Sequence, residues 1–280
     1  MPLIPWEYLK QHLFLPTITP AELAEKLSYC GLETKIVKQE NNIYCEFDTL
    51  PNRTDLLSWW GIIQEISVLL NCQINPLKIP IINESKEKLI EVEISTNDCL
   101  EFRLGFIKNI EIKESPQWAK DWLEANNLHS INNLVDIANL VMLETGQPFH
   151  IFDYDALSEK KKIVIQEARG GEIMTTLHGQ KLTLNPGEIV ISSGEKFIDL
   201  AGIIGNQETT ITSQTKNILI ECASFGPASI KKTTNRLNIS TLASQYFSRG
   251  INLVLPPDKS LSRVISLIIE SYGGNLYPGS

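Results

Sequence analysis

The sequence predicts an α+β protein, with a small amino-terminal domain of helices and strands followed by a larger domain whose mixed, mostly antiparallel β core is flanked by helices. Two observations support this fold class. Between Lys162 and Ile220, short apolar segments are separated by glycine-containing turn dipeptides, as in tightly connected antiparallel strands. Segments in which apolar residues recur with helical spacing lie on both sides of that stretch.

Composition excludes several classes of protein. With 280 residues, 42% of them hydrophobic, the chain has enough material for one large or two moderate domains. Its apolar stretches are too short to cross a bilayer and its start does not resemble a signal peptide, so we expect a cytoplasmic protein with no membrane partner. Five scattered cysteines predict neither a disulfide framework nor a zinc site. The net charge of −8 argues against a chain that binds nucleic acid unaided.

The first domain contains two predicted helices around a strand-rich stretch. The segment from Thr19 to Glu22 combines a capping hydroxyl, a proline and a carboxylate that can complete a capping box, and Gly31 ends this helix. Thr34 to Asp48 is predicted to form strands. Asp55 is the predicted cap of the second helix. The apolar residues at helical spacing there are Trp59, Ile62, Ile63, Ile66, Leu69 and Leu70.

The composition changes after two prolines near residue 80, and we place the domain boundary at Ser85. The predicted divisions are residues 1–85, residues 86–272 and residues 273–280, the last being a tail or the start of a further domain. Strands are predicted from Leu89 to Ser95 and near Phe106 to Ile112. Helices are predicted after Ser115-Pro116, from Asn133 to Thr145 before Gly146, from Pro227 to Leu237, and from Pro257 to Tyr272.

Several sequence segments carry a family resemblance. Those from Trp6 to Glu33 and from Pro51 to Ser58 resemble the first domain of bacterial phenylalanyl-tRNA synthetase β subunits. The segment from Asn132 to Asp153 resembles the editing domain of the same family closely in order and spacing. The match is supported downstream by Ala201 to Gly205, by Glu221 to Phe225, and by Arg236-Leu237, Thr241 to Ser244 and Arg249-Gly250. The resemblance extends over essentially the whole chain, without the family's usual OB-fold insertion in the first domain.

The resemblance implies a function and partners. An editing domain of this family hydrolyses tyrosine wrongly esterified to phenylalanine tRNA, a task that arises because an apolar pocket rejects an added hydroxyl only modestly. The implied partners are phenylalanine tRNA and the catalytic α subunit. ATP and magnesium are expected on that α subunit, and no cofactor or metal is expected on this chain. Amino-acid activation is not expected of this chain alone.

The resemblance also implies which residues form the site. They are His150 and Thr241 as catalytic residues, and Glu221, Gly205, Ala243 and Ala138 as substrate-binding residues. Glu221 is expected to accept the tyrosine hydroxyl, so that phenylalanine leaves a buried charge unpaired. Ester hydrolysis needs a positioned water and donors for the oxyanion, to which His150, Thr241 and nearby backbone N–H groups are expected to contribute. The sequence contains no nucleophile elbow, which favours direct attack by water.

Ordinary structural roles remain open for these residues. Glu221 follows the apolar segment Asn217 to Ile220 and is also compatible with a solvated strand end. Thr241 is equally suited to cap a helix that begins near Leu242. Ala138 and Leu242 replace a threonine and a glutamate of the family pattern. A second hypothesis is therefore a non-catalytic RNA-binding or protein-binding scaffold whose editing pocket has decayed.

Overall fold

The computed structural model describes residues 2–39, 42–82, 89–159, 161–251 and 255–276. Its contacts divide the chain into two compact units. The first unit comprises residues 1–79, 114–147 and 252–256, and the second comprises residues 80–113, 148–251 and 257–280. Both units combine helices with sheets of mainly antiparallel strands, so the predicted α+β class is confirmed.

The first unit contains five helices and one three-stranded antiparallel sheet among its described residues. Its elements are β1 (Leu3–Pro5), α1 (Trp6–His12), α2 (Pro20–Tyr29), β2 (Thr34–Gln39), β3 (Asn42–Phe47), α3 (Trp59–Leu70), α4 (Gln117–Ala125) and α5 (Asn133–Thr145). The strand order is β1-β3-β2. The predicted strand-rich stretch is thus the hairpin of β2 and β3.

Local capping residues set the ends of α2 and α5. Thr19 accepts a hydrogen bond from the backbone N–H of Glu22, whose carboxylate accepts from the Thr19 N–H, so the predicted capping box is confirmed. Asn132 caps the start of α5, and Gly146 ends it with a φ of 79°, a left-handed conformation that glycine adopts without strain. Both features come from residues next to the helix, which explains why the predicted bounds of α5 are confirmed.

The predicted cap of α3 is wrong. Ser58 caps this helix, because its Oγ accepts a hydrogen bond from the backbone N–H of Gly61 at 3.0 Å. Asp55 lies in the preceding 3-10 turn, where its carboxylate binds the guanidinium of Arg53 at 2.6 Å. Arg53 also reaches Glu65 at 2.7 Å. The charged guanidinium therefore holds the carboxylate that the sequence suggested for capping.

The second unit contains two larger sheets, one hairpin and three helices among its described residues. Its strands are β4 (Glu91–Ile94), β5 (Cys99–Lys108), β6 (Phe149–Asp153), β7 (Lys162–Glu167), β8 (Ile173–Thr175), β9 (Lys181–Thr183), β10 (Ile189–Ser193), β11 (Lys196–Leu200), β12 (Ile204–Gly205), β13 (Ile218–Phe225) and β14 (Asn275–Leu276). Its helices are α6 (Pro227–Leu237), α7 (Leu242–Arg249) and α8 (Pro257–Tyr272).

Strand pairing makes this unit mixed but mostly antiparallel, as predicted. The five-stranded sheet has the order β12-β11-β10-β7-β4, in which β4 pairs in parallel with β7 and the other pairs are antiparallel. The four-stranded sheet, of order β14-β5-β13-β6, is antiparallel. Both sheets contribute to one hydrophobic core. Its fully buried members include Phe152, Leu219, Val190 and Leu200.

Strand bounds differ from the prediction more than helix bounds do. The strand predicted near Phe106 to Ile112 is β5, which begins earlier and ends at Lys108, before Asn109 with its φ of 59°. After the end of α5 at Gly146, β6 begins at Phe149. Strand ends depend on pairing partners that are distant in the sequence, and β6 exists because it pairs with β13.

The predicted domain boundary at Ser85 lies outside the described residues. The predicted divisions 1–85 and 86–272 stay a prediction about stretches of sequence, whereas the compact units draw residues 114–147 together with the first stretch. Within the described ranges, no helix combines the length and the apolar character needed to cross a membrane.

Candidate functional site

The strand pair β6 and β13 positions the first two site residues. His150 lies directly across from Glu221 in this antiparallel register. Directly opposite residues of an antiparallel pair project from the same face of the sheet. Phe152 and Leu219 are opposite each other in the same register, two residues away, and both belong to the core. His150 and Glu221 therefore project from the core-facing side, where the rings of His150 and Phe152 lie 4.4 Å apart.

Glu221 lies inside its strand, so a place at a solvated strand end is wrong. β13 continues to Phe225 and pairs on one side with β5 and on the other with β6. A strand with partners on both sides is central to its sheet. The Glu221 side chain is consequently buried, with the residue only 4% exposed.

Gly205 brings the second sheet to the imidazole. A Cβ added to Gly205 would lie 2.3 Å from Cε1 and 2.9 Å from Nε2 of His150. Distances this short are not tolerated between non-bonded heavy atoms, so the ring requires glycine at this position. The predicted small residue is present, and its small size makes room for His150.

Asp199 is absent from the predicted site but belongs to it by register. It lies directly across from Gly205 in the pairing of β11 with β12. Its side chain therefore leaves the sheet on the side where the Gly205 Cβ would point, which is the side of His150. The only sequence signal is one acidic residue within the otherwise apolar segment Phe197 to Ala201. Such a signal does not reveal which distant strand the acid faces.

Each of the two buried carboxyl groups has one oxygen without a hydrogen-bond partner among the described residues. Asp199 and Glu221 are 3% and 4% exposed. Oδ1 of Asp199 and Oε2 of Glu221 accept no hydrogen bond from any part of the chain that the structure describes. Burial raises the pKa of Asp199 to about 7. Burial, and then the charge of Asp199, raise the pKa of Glu221 well above that of an ordinary glutamate.

These shifts change the charge expected at the site. The His150 side chain is half-buried. Desolvation by the surrounding protein lowers its pKa to about 4. At neutral pH the imidazole is therefore uncharged and can accept a hydrogen bond from water. Burial and the charge of Asp199 therefore favour the protonated form of Glu221, where the sequence alone predicts a buried charge.

Thr241 is a helix cap, as the alternative interpretation holds. Its hydroxyl accepts a hydrogen bond from the backbone N–H of Ser244 at 3.1 Å and donates one to the carbonyl of Ile203 at 3.0 Å. Ser244 Oγ accepts in turn from the Thr241 N–H at 3.0 Å, which completes a capping box. The Ile203 bond joins the start of α7 to the segment that leads into Gly205. Because its one hydroxyl proton is donated to Ile203, Thr241 fixes the position of this region.

The two alanines of the predicted site belong to different units. Ala243, in the first turn of α7, is half-buried and packs against the core of the second unit. Ala138 lies in α5 of the first unit and is 5% exposed. The second unit therefore gathers His150, Glu221 and Gly205, and a role for Ala138 stays a prediction.

A polar cavity lies beside the cap of α7. It has a volume of about 400 Å³ between α6 and α7. Ser240 and Ser244, which flank Thr241, contribute to its lining, and Lys231 supplies a positive charge. The other lining residues are Thr234, Asn235, Asn238, Ile239, Gln245 and Ser248. Within the described residues, no cluster of three or more histidine, cysteine or acidic side chains is arranged to hold a metal ion.

Comparison with known proteins gives a consistent picture. Residues 98–273 match the family described as B3/4 domain. The chain is 39% identical over 249 residues to the phenylalanine-tRNA ligase β subunit of Fusobacterium nucleatum subsp. nucleatum, a match that covers 88% of this chain and 31% of that protein. It is 33% identical over 279 residues to the corresponding subunit of Streptococcus pneumoniae, covering 99% of this chain and 33% of that protein.

The chain thus spans about a third of the length of the curated relatives that it matches. Among solved structures, an amino-terminal fragment of the phenylalanyl-tRNA synthetase β subunit from Pyrococcus horikoshii matches 98% of this chain and 74% of its own, with 15% identity and a TM-score of 0.46.

Proposed function

The chain belongs to the B3/4 domain family, and from that premise we propose that it is the editing region of a phenylalanine-tRNA ligase β subunit, which hydrolyses tyrosine wrongly attached to phenylalanine tRNA. The matched relatives are β subunits of this ligase along most of the present chain. The site described above supplies the buried polar groups that such an activity requires.

One observation carries the proposal: a buried carboxyl group at Glu221, with a free oxygen, lies across from the imidazole of His150. A tyrosine hydroxyl at that oxygen forms the missing hydrogen bond. Phenylalanine has no such group and leaves the buried oxygen unsatisfied, at a cost of about 1–3 kcal/mol. The pocket therefore favours the wrong amino acid, as an editing site must.

The reaction is direct hydrolysis of the aminoacyl ester. A water oxygen attacks the carbonyl carbon, the bond from that carbon to the ribose oxygen breaks, and the ribose oxygen leaves with a proton. The products are tyrosine and uncharged tRNA. The neutral imidazole of His150 accepts a hydrogen bond from the attacking water and orients it. A pKa near 4 makes it a weak base, so orientation is its main contribution.

Donors for the oxyanion are available at the start of α7. The backbone N–H groups of Leu242 and Ala243 have no acceptor among the described residues, whereas those of Ser244 and Gln245 are bound to Thr241. Free N–H groups at a helix start stabilise negative charge. Thr241 orients this turn through its bond to Ile203, so it acts as a positioning residue in this mechanism.

The proposal includes partners and a location. Phenylalanine tRNA is the substrate carrier, and the catalytic α subunit, with its ATP and magnesium, supplies the aminoacylation that this chain edits. No cofactor is proposed for the chain itself. With a net charge of −8 the chain attracts RNA poorly, so we assign much of the tRNA binding to the assembly. The proposed editing takes place in the cytoplasm.

The test uses a short substrate to bypass tRNA binding: tyrosine esterified to the 3′ end of a CCA trinucleotide, with the phenylalanine ester as comparison. The expected result is faster hydrolysis of the tyrosyl ester, and a loss of at least tenfold in His150→Ala. The matched control is Lys196→Ala, which removes an exposed side chain from β11 of the same unit. Hydrolysis of the tyrosyl ester no faster than in buffer, by a folded chain, would overturn the proposal.

A second candidate function is binding without hydrolysis. Two observations favour it: the hydroxyl proton of Thr241 is donated to Ile203, and the lowered pKa of His150 makes it a weak base. Such a scaffold module would hold the tyrosyl ester and leave it intact. Selective binding of the tyrosyl ester without its cleavage separates this function from editing.

A further inference from the structure

Asp199 is an unexpected residue for its position. It lies in β11 between Ile198 and Leu200, which both belong to the core, and it is only 3% exposed. Removing a carboxyl group from water is strongly unfavourable unless a cation or hydrogen-bond donors replace the water. No ion pair to Asp199 is present within the described ranges, and its Oδ1 accepts no hydrogen bond there.

Three contacts lead from Asp199 to Glu221. Asp199 is opposite Gly205, the ring of His150 lies against Gly205, and His150 is opposite Glu221. Each step keeps the side chains on facing surfaces of the two sheets. After burial, the charge of Asp199 is the second cause that raises the pKa of Glu221, as expected of two nearby carboxyl groups.

Among the described residues, no group binds the two free oxygens. Within the described part of the chain, no cluster suitable for a metal ion includes these residues. His150 is uncharged at neutral pH and forms no ion pair there. The partner of the two free oxygens is therefore a neutral hydrogen-bonding group, which is what a bound ligand with a hydroxyl supplies.

We propose that Asp199 is a second specificity-determining residue of the site, which binds the hydroxyl at the end of the substrate side chain together with Glu221. This inference rests on the proposed function for the identity of the substrate. A phenol hydroxyl both donates and accepts a hydrogen bond. The protonated form of Glu221, which burial favours, can donate a hydrogen bond to the phenol, and the free oxygens of the two carboxyl groups can accept one. An apolar ring of the same shape satisfies neither free oxygen.

The test measures binding without hydrolysis. The probes are L-tyrosinamide and L-phenylalaninamide, titrated calorimetrically against the wild-type chain and against Asp199→Ala, Asp199→Asn, Glu221→Gln and the Asp199→Asn/Glu221→Gln double variant. The expected wild-type result is tighter binding of the tyrosine amide. Asp199→Ala is expected to reduce the ratio of the two association constants about tenfold, the effect of one hydrogen bond. Lys196→Ala, on the same strand, is expected to leave the ratio unchanged.

The ratio separates recognition from folding, because a purely structural residue weakens both amides alike. The effects of Asp199→Asn and Glu221→Gln are expected to be non-additive, since the two groups act on one hydroxyl. Asp199→Asn keeps the shape of the side chain and serves if Asp199→Ala loses its cooperative melting transition.

Each outcome is decisive. An unchanged ratio in folded Asp199→Ala or Asp199→Asn overturns the role of Asp199, and so does a wild-type chain that binds the two amides equally. If the wild-type chain prefers the tyrosine amide through Asp199 but does not hydrolyse the tyrosyl ester, the inference stands and the proposed hydrolysis fails. If the ester is hydrolysed and the ratio is unchanged in the Asp199 variants, the proposed hydrolysis stands and the role of Asp199 fails.

Discussion

The imidazole of His150 lies against Gly205, so closely that a Cβ on that glycine would come within 2.3 Å of ring Cε1. The two residues belong to different sheets, β6 of the four-stranded sheet and β12 of the five-stranded sheet. Their contact joins the pair His150 and Glu221 to the pair Gly205 and Asp199. The site therefore depends on how closely the two sheets approach at this point.

Gly205→Ala is predicted to displace the imidazole. The added methyl group forces the ring or the strand to move, and overpacking of this kind costs about 1–3 kcal/mol. We expect a lower free energy of unfolding in urea and a loss of tyrosyl-ester hydrolysis. Gly105→Ala is the matched control, because the nearest atom there is the flexible end of Ile265. Equal losses of hydrolysis in both variants would contradict a specific role for this contact.

The stability of the protein is predicted to fall as the pH rises from 6.5 to 8. Burial raises the pKa of Asp199 from 3.8 to about 7, so the folded chain holds a proton that the unfolded chain has released. Stability from this group is full below the unfolded pKa and is lost as the pH rises through the folded value. His150 acts oppositely, because its pKa falls from 6.5 to about 4 and it lowers stability only as the pH drops below 6.5.

Above pH 6.5 the pH dependence of the free energy of unfolding is therefore attributed to the carboxyl pair and not to His150. The free energy of unfolding, measured in urea at half-unit steps of pH, is expected to fall by up to about 1.4 kcal/mol per pH unit for each proton involved. Asp199→Asn should flatten the curve and be more stable than the wild-type chain at pH 8. His150→Gln should leave this window unchanged. A rising wild-type curve between pH 6.5 and 8 would refute the assignment.

Thr241→Ala is predicted to destabilise the chain by about 1–2 kcal/mol, because it removes the cap of α7. It also removes the hydrogen bond to the carbonyl of Ile203. Thr241→Ser retains a hydroxyl at the same place and is expected to keep both stability and hydrolysis near wild-type levels. Thermal unfolding and ester hydrolysis measured on both variants test this. Normal stability in Thr241→Ala would show that the cap contributes little.

The ion pair of Arg236 and Glu188 is predicted to stabilise the contact of α6 with the residue that precedes β10. Nε and Nη2 of the arginine each contact one carboxylate oxygen at 2.6 Å, and the Glu188 side chain is 6% exposed. Arg236→Ala leaves that carboxylate without its partner, so we expect a loss of about 2–3 kcal/mol, reduced from the fully buried case because the arginine is partly exposed. Urea unfolding measures this loss.

Lys196→Ala is the control for this prediction. It breaks the exposed pair with Glu208, in which the side chains are 73% and 61% exposed. A surface pair of this kind contributes about 0–1 kcal/mol, so the loss should be small. Similar losses in Arg236→Ala and Lys196→Ala would contradict the distinction between the two pairs.

The sequence alone determined the features that depend on neighbouring residues. The bounds predicted for the helices Asn133–Thr145, Pro227–Leu237 and Pro257–Tyr272 agree with the structure. A helix begins and ends through hydrogen bonds within a few residues. A cap such as Asn132 and a stop such as Gly146 can therefore be predicted from the neighbouring sequence. The family resemblance, supported by the match to the B3/4 domain, is also a property of the sequence itself.

Tertiary structure decided the features that depend on distant residues. Asp55 binds the guanidinium of Arg53 and so does not cap α3. Glu221 lies inside a central strand because β13 pairs with both β5 and β6. Asp199 reaches the site only because Gly205 lets the second sheet approach His150. Strand register and sheet packing bring together residues that are dozens of positions apart, and the charge of a buried group follows from those neighbours. No local pattern in the sequence specifies the strand register, the packing of the sheets or the charge of a buried group.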